Sequence, residues 1–229
     1  VGIAEQNLIG ICAGLCNLGF LPFAYTISNF VIHRCFEQIR NDIILHSYPI
    51  TLLGTSTGFD NAPLGPTHHV LDDWGMLKAY SCMDVYCPNS DEYALNLVSK
   101  IIKKNRPAYI RIPKGGFSDI QTQEEVFYKK GSYKNTILIS YGAPAKECLR
   151  VCETLNTSLL LFNQIHPIDD KLLNNILKNY ENIVVVEDQL GGIGLYNSLC
   201  EKLINSSHGK FFYSLSPESF NFKVGKNAD

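Results

Sequence analysis

Along the chain, short runs rich in β-branched and aromatic residues alternate with longer stretches in which apolar positions recur every three or four residues. Strands and helices in alternation bury their apolar faces best as mostly parallel sheets covered by helices, so the pattern predicts an α/β fold. In the first half it predicts helices over residues 5–18, 31–46, 70–78 and 91–104, and strands over 20–27, 49–54, 84–87 and 108–112. In the second half it predicts strands over 136–140, 158–162, 182–187 and 211–215, and helices over 143–155, 169–177 and 194–204. Between the two blocks the stretch QTQEEVFYKKGSYKN is polar with little periodicity. The expected division is therefore a domain over 1–118, a linker over 119–134 and a domain over 135–229.

Composition narrows the function classes. The 229 residues are 45% hydrophobic and 18% charged, enough apolar material for two compact domains and too much for a disordered chain. The net charge of -2 and the scattered Lys and Arg leave no basic stripe for nucleic acid. No apolar run approaches the ~20 residues of a membrane span. The eight cysteines include the pairs Cys12/Cys16 and Cys148/Cys152, four apart in apolar helical patterns and without a CxxC motif, which reads as buried, reduced thiols of a cytoplasmic protein rather than a metal site.

Four segments carry candidate chemistry. In IVVVEDQLGGIGLYNSL an apolar strand meets Gly191, Gly192 and Gly194 before a helix, but Asn197 stands where a dinucleotide fingerprint needs its last glycine, and Glu187 and Asp188 would repel a pyrophosphate. In LGPTHHVLDD a histidine pair ends the loop GTSTGFDNAPLGPTHH, which leaves the carboxyl end of a strand, where parallel sheets bind ligands. His68 and His69 there suit proton transfer, or equally the capping of a helix beginning near residue 70. In PAYIRIPKGG, Arg111 lies on a buried strand and needs an anionic partner, either an internal carboxylate or a substrate phosphate. In GIAEQNLIGICAGL, Glu5 stands in the first turn of a helix, where the macrodipole favours an acid, beside small residues that permit close approach.

Taken together these segments resemble the transketolase family of thiamine-diphosphate enzymes, specifically its pyrimidine-binding domain followed by its C-terminal domain. GIAEQNLIGICAGL is similar to the family's G-I-x-E-Q helix, and FAYTISNFVIHRCFEQIRND to its aromatic cofactor segment and R-x-x-E-Q-I-R helix. LGPTHHVLDD resembles its G-x-T-H loop, YIRIPKGG its substrate-arginine strand, and VVVEDQLGGIG the V-E-E/D…G-G-x-G stretch of its C-terminal domain. The ordered set covers nearly the whole chain.

The resemblance implies a transferase that moves a two-carbon ketol unit between sugars. Glu5 would hydrogen-bond the aminopyrimidine ring nitrogen from a dry pocket, so that the exocyclic nitrogen removes the thiazolium proton. Phe30 would pack on the pyrimidine, with Ile27 replacing a usual aromatic three residues earlier. His68 would contact the hydroxyl and carbonyl end of the donor, and Arg111 a sugar phosphate. Leu64 stands where transketolases proper and deoxyxylulose-phosphate synthases have an acid, and GTSTG where transketolases proper place a phosphate-binding histidine. The family's G-D-G…N site for diphosphate and Mg2+ has no counterpart in this sequence, so both are expected on a partner domain or subunit, in a dimer or tetramer. Residues 1–3 resemble the end of a strand, which implies earlier elements upstream and an exposed apolar sheet position. The rival readings are 1-deoxyxylulose-5-phosphate synthase, the β subunit of a 2-oxo-acid dehydrogenase, and a non-catalytic subunit of the same fold.

Overall fold

The computed structural model describes residues 1–117, 120, 122–133, 135–203 and 210–220. The first sheet contains β1 (Phe23–Ile27), β2 (Thr51–Thr55), β3 (Asp84–Tyr86) and β4 (Ala108–Ile112) in the order β1-β2-β4-β3, all parallel. The second contains β6 (Thr136–Ser140), β7 (Ser158–Phe162), β9 (Asn182–Val186) and β10 (Phe211–Leu215) in the order β10-β9-β6-β7, again parallel. Each sheet ends in one antiparallel strand that the periodicity did not predict. The second is closed by β5 (Val126–Lys129), which lies inside the expected linker and pairs with β7. The first is closed by β8 (Gln164–His166), which crosses from the second half to pair with β3.

The helices follow their apolar spacing. In α1 (Glu5–Asn17) the buried residues are Glu5, Ile9 and Cys12, one face of a helix. In α5 (Asp91–Lys104) Tyr93, Leu97 and Ile101 face the core, Ser90 accepts from the Tyr93 amide, acids fill the first turn and lysines the last. Likewise α6 (Ala143–Leu155), α7 (Asp170–Leu177) and α8 (Leu195–Leu203) bury one stripe each, and Asp169 caps α7 through the amides of Lys171 and Leu172.

Two helices differ from expectation at functionally informative places. The span 31–46 is broken into α2 (Ser28–Ile32), a turn, α3 (Phe36–Gln38) and a wider helical turn over Ile39–Ile44. The helix expected from residue 70 begins later, as α4 (Asp73–Leu77), so neither His68 nor His69 caps it. Residues 1–3 form no strand, and the outer edge of β1 carries no partner among the described residues; Ile3 is 93% exposed and Tyr25 on β1 66%.

The two halves share one hydrophobic core, which runs from Ile9 and Val31 through Trp74 and Tyr141 to Val185 and Leu199. Polar groups lock the junction. The Trp74 indole donates to Tyr141 Oη (2.9 Å), and the Tyr141 hydroxyl donates to Glu187 (3.0 Å). Asn163, where the chain passes from one sheet to the other, accepts from the Asn89 amide (2.7 Å) and donates to the Glu124 carbonyl (2.8 Å). All eight cysteines are free thiols, and burial pushes those of Cys35 and Cys148 to about 11. Among the described residues no helix is long and apolar enough to cross a membrane.

His166 on β8 gives this junction a pH dependence. Its Nε2 is buried without a hydrogen bond among the described residues, and burial lowers its pKa below the ordinary 6.5. A histidine with a depressed folded-state pKa takes up protons first in the unfolded chain, so stability falls as pH drops below the ordinary value. The Tm should therefore decline between about pH 7 and about pH 5, and His166→Gln should flatten the decline. An equal slope in the variant would remove His166 as its source.

Candidate active site

Helix α1 leads into β1 and packs on it, so it runs against the strand direction and sets its first turn at the carboxyl ends of the parallel strands. The start of α2, the loop over 56–72 after β2, and residues 113–117 after β4 gather at this same end.

Glu5 is only 6% exposed, and its Oε2 accepts from Arg34 Nη1 at 2.6 Å. Gln6 donates to the Arg34 carbonyl (3.2 Å), fixing the turn after α2 against α1. The Arg34 guanidinium lies over the Phe30 ring, 4.6 Å from its centroid. Phe30 meets His68 edge-on, with centroids 5.5 Å apart, and His68 Nδ1 is 3.0 Å from Thr67 Oγ1. Asn29 Nδ2 donates to the Thr67 carbonyl, and Ile27, at the end of β1, is half-buried where it leads into α2. Glu5, Phe30 and His68, from three separate segments, thus lie in one cluster in which Arg34 joins Glu5 to Phe30, and Ile27 precedes it as the N-cap residue of α2.

Arg111 lies elsewhere. Its guanidinium is fully buried, with Nε on Asp73 (2.8 Å), Nη1 on Asp188 (3.0 Å) and Nη2 on the Val70 carbonyl (3.4 Å). Of the two partners open to it from sequence, the internal carboxylate is the one found, and a sugar phosphate has no access to the group. Tyr109 (2.6 Å) and Gln189 (2.8 Å) also donate to Asp73, so the network ties the first sheet to the loop after β9 of the second. Burial raises the Asp188 pKa, opposed by the Arg111 charge. At Gly58, with φ of +58°, a Cβ would stand 2.2 Å from Asp188 Oδ2, so only glycine lets the loop after β2 close on that carboxylate.

The glycine turn after β9 is occupied as well. The Glu187 carboxylate accepts from the amides of Leu195 (2.6 Å) and Tyr196 (2.9 Å) at the start of α8, and a Cβ at Gly194 would lie 2.1 Å from it. The turn binds its own glutamate where a nucleotide would need a phosphate pocket.

A cavity of about 480 Å³ opens beside the loop after β2, lined by Asp60, Asn61, Pro63, Leu64, Lys114 and Gly115. The Lys114 amide donates to Asp60 (2.7 Å) and its Nζ to Asn61 (3.3 Å). Desolvation raises the Asp60 pKa. Behind this loop His69 is buried against Phe59, with centroids 5.1 Å apart and neither ring nitrogen hydrogen-bonded among the described residues.

Residues 1–118 match the profile of the transketolase pyrimidine-binding domain. The chain belongs to the transketolase family. Among its relatives, one of the subunits of an apulose-4-phosphate transketolase from Actinobacillus succinogenes is 27% identical over 91% of this chain and 70% of the relative. The 1-deoxy-D-xylulose-5-phosphate synthase of Nitrosospira multiformis is 27% identical over 85% of this chain but only 33% of its own length, so the chain spans about a third of that enzyme. A split-gene transketolase solved as an inactive β4 tetramer shares the fold, with a TM-score of 0.82, 23% identity, and coverage of 96% of this chain and 74% of that one.

Within this transketolase-family site, sequence reasoning passed over three residues. Arg34 was visible as the first residue of the R-x-x-E-Q-I-R segment, but its pairing with Glu5 and Phe30 comes from the turn after α2. Lys114 was visible beside Arg111, but only the structure tells which cation faces the cavity. Asp72, which pairs with His33, carried no local signal at all.

Proposed function

We infer that this chain supplies the pyrimidine-facing half of a thiamine-diphosphate-dependent transferase that moves a two-carbon ketol unit between sugars. The observation that carries the reading is the cluster of Glu5, Arg34, Phe30 and His68 at the carboxyl ends of the first sheet. Glu5 suits the cofactor: Oε2 is held by Arg34, while Oε1 has no hydrogen bond among the described residues and can hold a proton shared with a ring nitrogen. Phe30 offers an aromatic surface to a flat ring, braced by a guanidinium and an imidazole. When bound, thiamine diphosphate supplies a thiazolium carbon that adds to a carbonyl, and the chain's residues orient and tune it. Diphosphate and Mg2+ ligands belong in this reading to a partner domain or subunit, in a dimer or tetramer, and the buried free thiols suit a cytoplasmic setting.

His68 is the residue for the donor sugar, placed to donate to or accept from its hydroxyl or carbonyl oxygen. Lys114, rather than Arg111, takes the anionic end of a substrate, because its ammonium lines the cavity while Arg111 is enclosed. Leu64, 58% exposed at that cavity, offers no hydrogen bond to a hydroxyl there, which shifts the substrate range away from the usual phosphorylated ketose. Ile27 leaves the pocket wall aliphatic beside Phe30.

His68→Ala should lower kcat/KM for a ketose donor by about a hundredfold while proton exchange at the thiazolium carbon stays near its original rate. Loss of both together, or of neither, would take His68 out of the donor site. A deoxyxylulose-phosphate synthase activity is the second reading, favoured by the similarity to the Nitrosospira multiformis enzyme. Condensation of pyruvate with glyceraldehyde phosphate by the assembled protein would establish it.

A further inference from the structure

His33 closes α2 three residues after Phe30. Its Nε2 is 2.6 Å from Asp72 Oδ1, and its Nδ1 is 3.3 Å from the Asn29 carbonyl. Both partners are acceptors, and only the imidazolium offers a proton to both, since a neutral ring donates from one nitrogen. The pair is half-buried, with the side chains 29% and 24% exposed, so it is sheltered from full solvent screening.

Asp72 stands at the N-cap of α4, a position where aspartate ordinarily accepts from the helix amides, yet its side chain makes no capping bond. Its carboxylate is turned to His33 instead. Together with the Asn29 bond to the Thr67 carbonyl and the Phe30 ring against His68, the pair makes a third tie between α2 and the loop over 65–72. Asn29, Phe30 and the C-cap residue His33 thus each tie α2 to the loop that carries His68.

We propose that His33 and Asp72 form a latch that positions His68, so that the setting of the donor-binding imidazole follows the protonation of a second histidine. The inference rests on the function assigned to His68 above and deepens it. Neither residue is a catalytic residue in this scheme; both act through the loop.

The electrostatics agree. Burial alone would lower the His33 pKa, but the hydrogen bond and charge of Asp72, the charge of Asp73 and the Asn29 carbonyl raise it above 6.5. The other charged groups near it are already paired: Arg34 on the next residue with Glu5 of α1, and Asp73 of α4 with Arg111. Strands β1 and β2, which also pack on α2, carry no acidic or basic side chain. A raised folded-state pKa means that the latch is fully closed below the ordinary value and is lost as pH rises through the folded one.

Imidazole NMR of the full chain tests this without any cofactor. The His33 ring should titrate above 6.5 in the wild type, and lower in Asp72→Asn, which keeps the size and capping tendency of the side chain but not its charge. The His68 resonances, lying at the edge of the Phe30 ring, should move with the His33 midpoint, shift in Asp72→Asn and return in Asp72→Glu. In the assembled enzyme Asp72→Asn should lower kcat/KM for the donor by about tenfold to a hundredfold, mainly through KM, and remove the alkaline limb set by His33. His68 resonances indifferent both to the His33 titration and to Asp72→Asn would overturn the latch. A coupling seen by NMR in a protein that fails to catalyse thiazolium exchange would instead overturn the proposed function and leave the latch standing.

Discussion

Replacing Glu5 with alanine should slow proton exchange at the thiazolium carbon of thiamine diphosphate by about 10²–10⁴-fold in the assembled enzyme, if the proposed function holds. The expectation follows from burial and partnership. The carboxylate is 6% exposed, one oxygen is fixed by Arg34 at 2.6 Å, and the other has no hydrogen bond among the described residues. A proton held between that oxygen and a ring nitrogen is worth most where water is excluded, because the low local dielectric strengthens the interaction. The variant should fold normally, since the Arg34 side chain is 44% exposed and can be solvated without its partner. Glu5→Gln should be nearly as slow despite keeping the shape, which separates proton handling from packing. An unchanged exchange rate in either variant, measured with the cofactor demonstrably bound, would sink both the role of Glu5 and the function inferred from it.

The second large effect concerns stability. Arg111→Met leaves Asp73 and Asp188 buried without their common cation, a loss of about 3–5 kcal/mol, or about 6–20 °C in Tm for a chain of this size. Arg111→Lys should recover only part of it, because a single ammonium cannot reproduce bonds from Nε, Nη1 and Nη2 to three different acceptors. The same variants discriminate between the two partners open to Arg111 from sequence. A residue that binds a sugar phosphate would raise KM and leave Tm in place. Loss of a residue that locks the two sheets together lowers Tm first. Thermal unfolding of Arg111→Met at the wild-type Tm would remove the structural role assigned here, and a raised KM with it would restore the substrate role.

Much of the fold was legible because parallel strands buried on both faces leave dense apolar runs, and covering helices leave a regular stripe. Thus β4 and β6 fall at the expected residues, as do α5 and α6. The misses have physical causes. The strand β5 is a half-exposed edge strand of four residues, VFYK, whose pattern is too short to stand out from a polar stretch. The strand β8 has three residues and exists because β3 offers it an open edge, which only the packing of the two halves provides. Helix α4 starts late because Val70 is drawn into a bridge with Gly58 and Asp72 toward His33.

The sequence by itself determined the α/β class, the two-block order of elements and, through the ordered motifs, the transketolase family and the candidate residues Glu5, Phe30 and His68. Those depend on local spacing and residue chemistry, which the chain carries in one dimension. Only the tertiary structure decided that Arg34 joins Glu5 to Phe30, that Arg111 is sealed between Asp73 and Asp188 while Lys114 faces the cavity, and that Asp72 serves His33 rather than its own helix. A charged side chain's partner is set by which acceptors lie within about 3 Å and how far water is excluded, and both are properties of packing between segments remote in sequence.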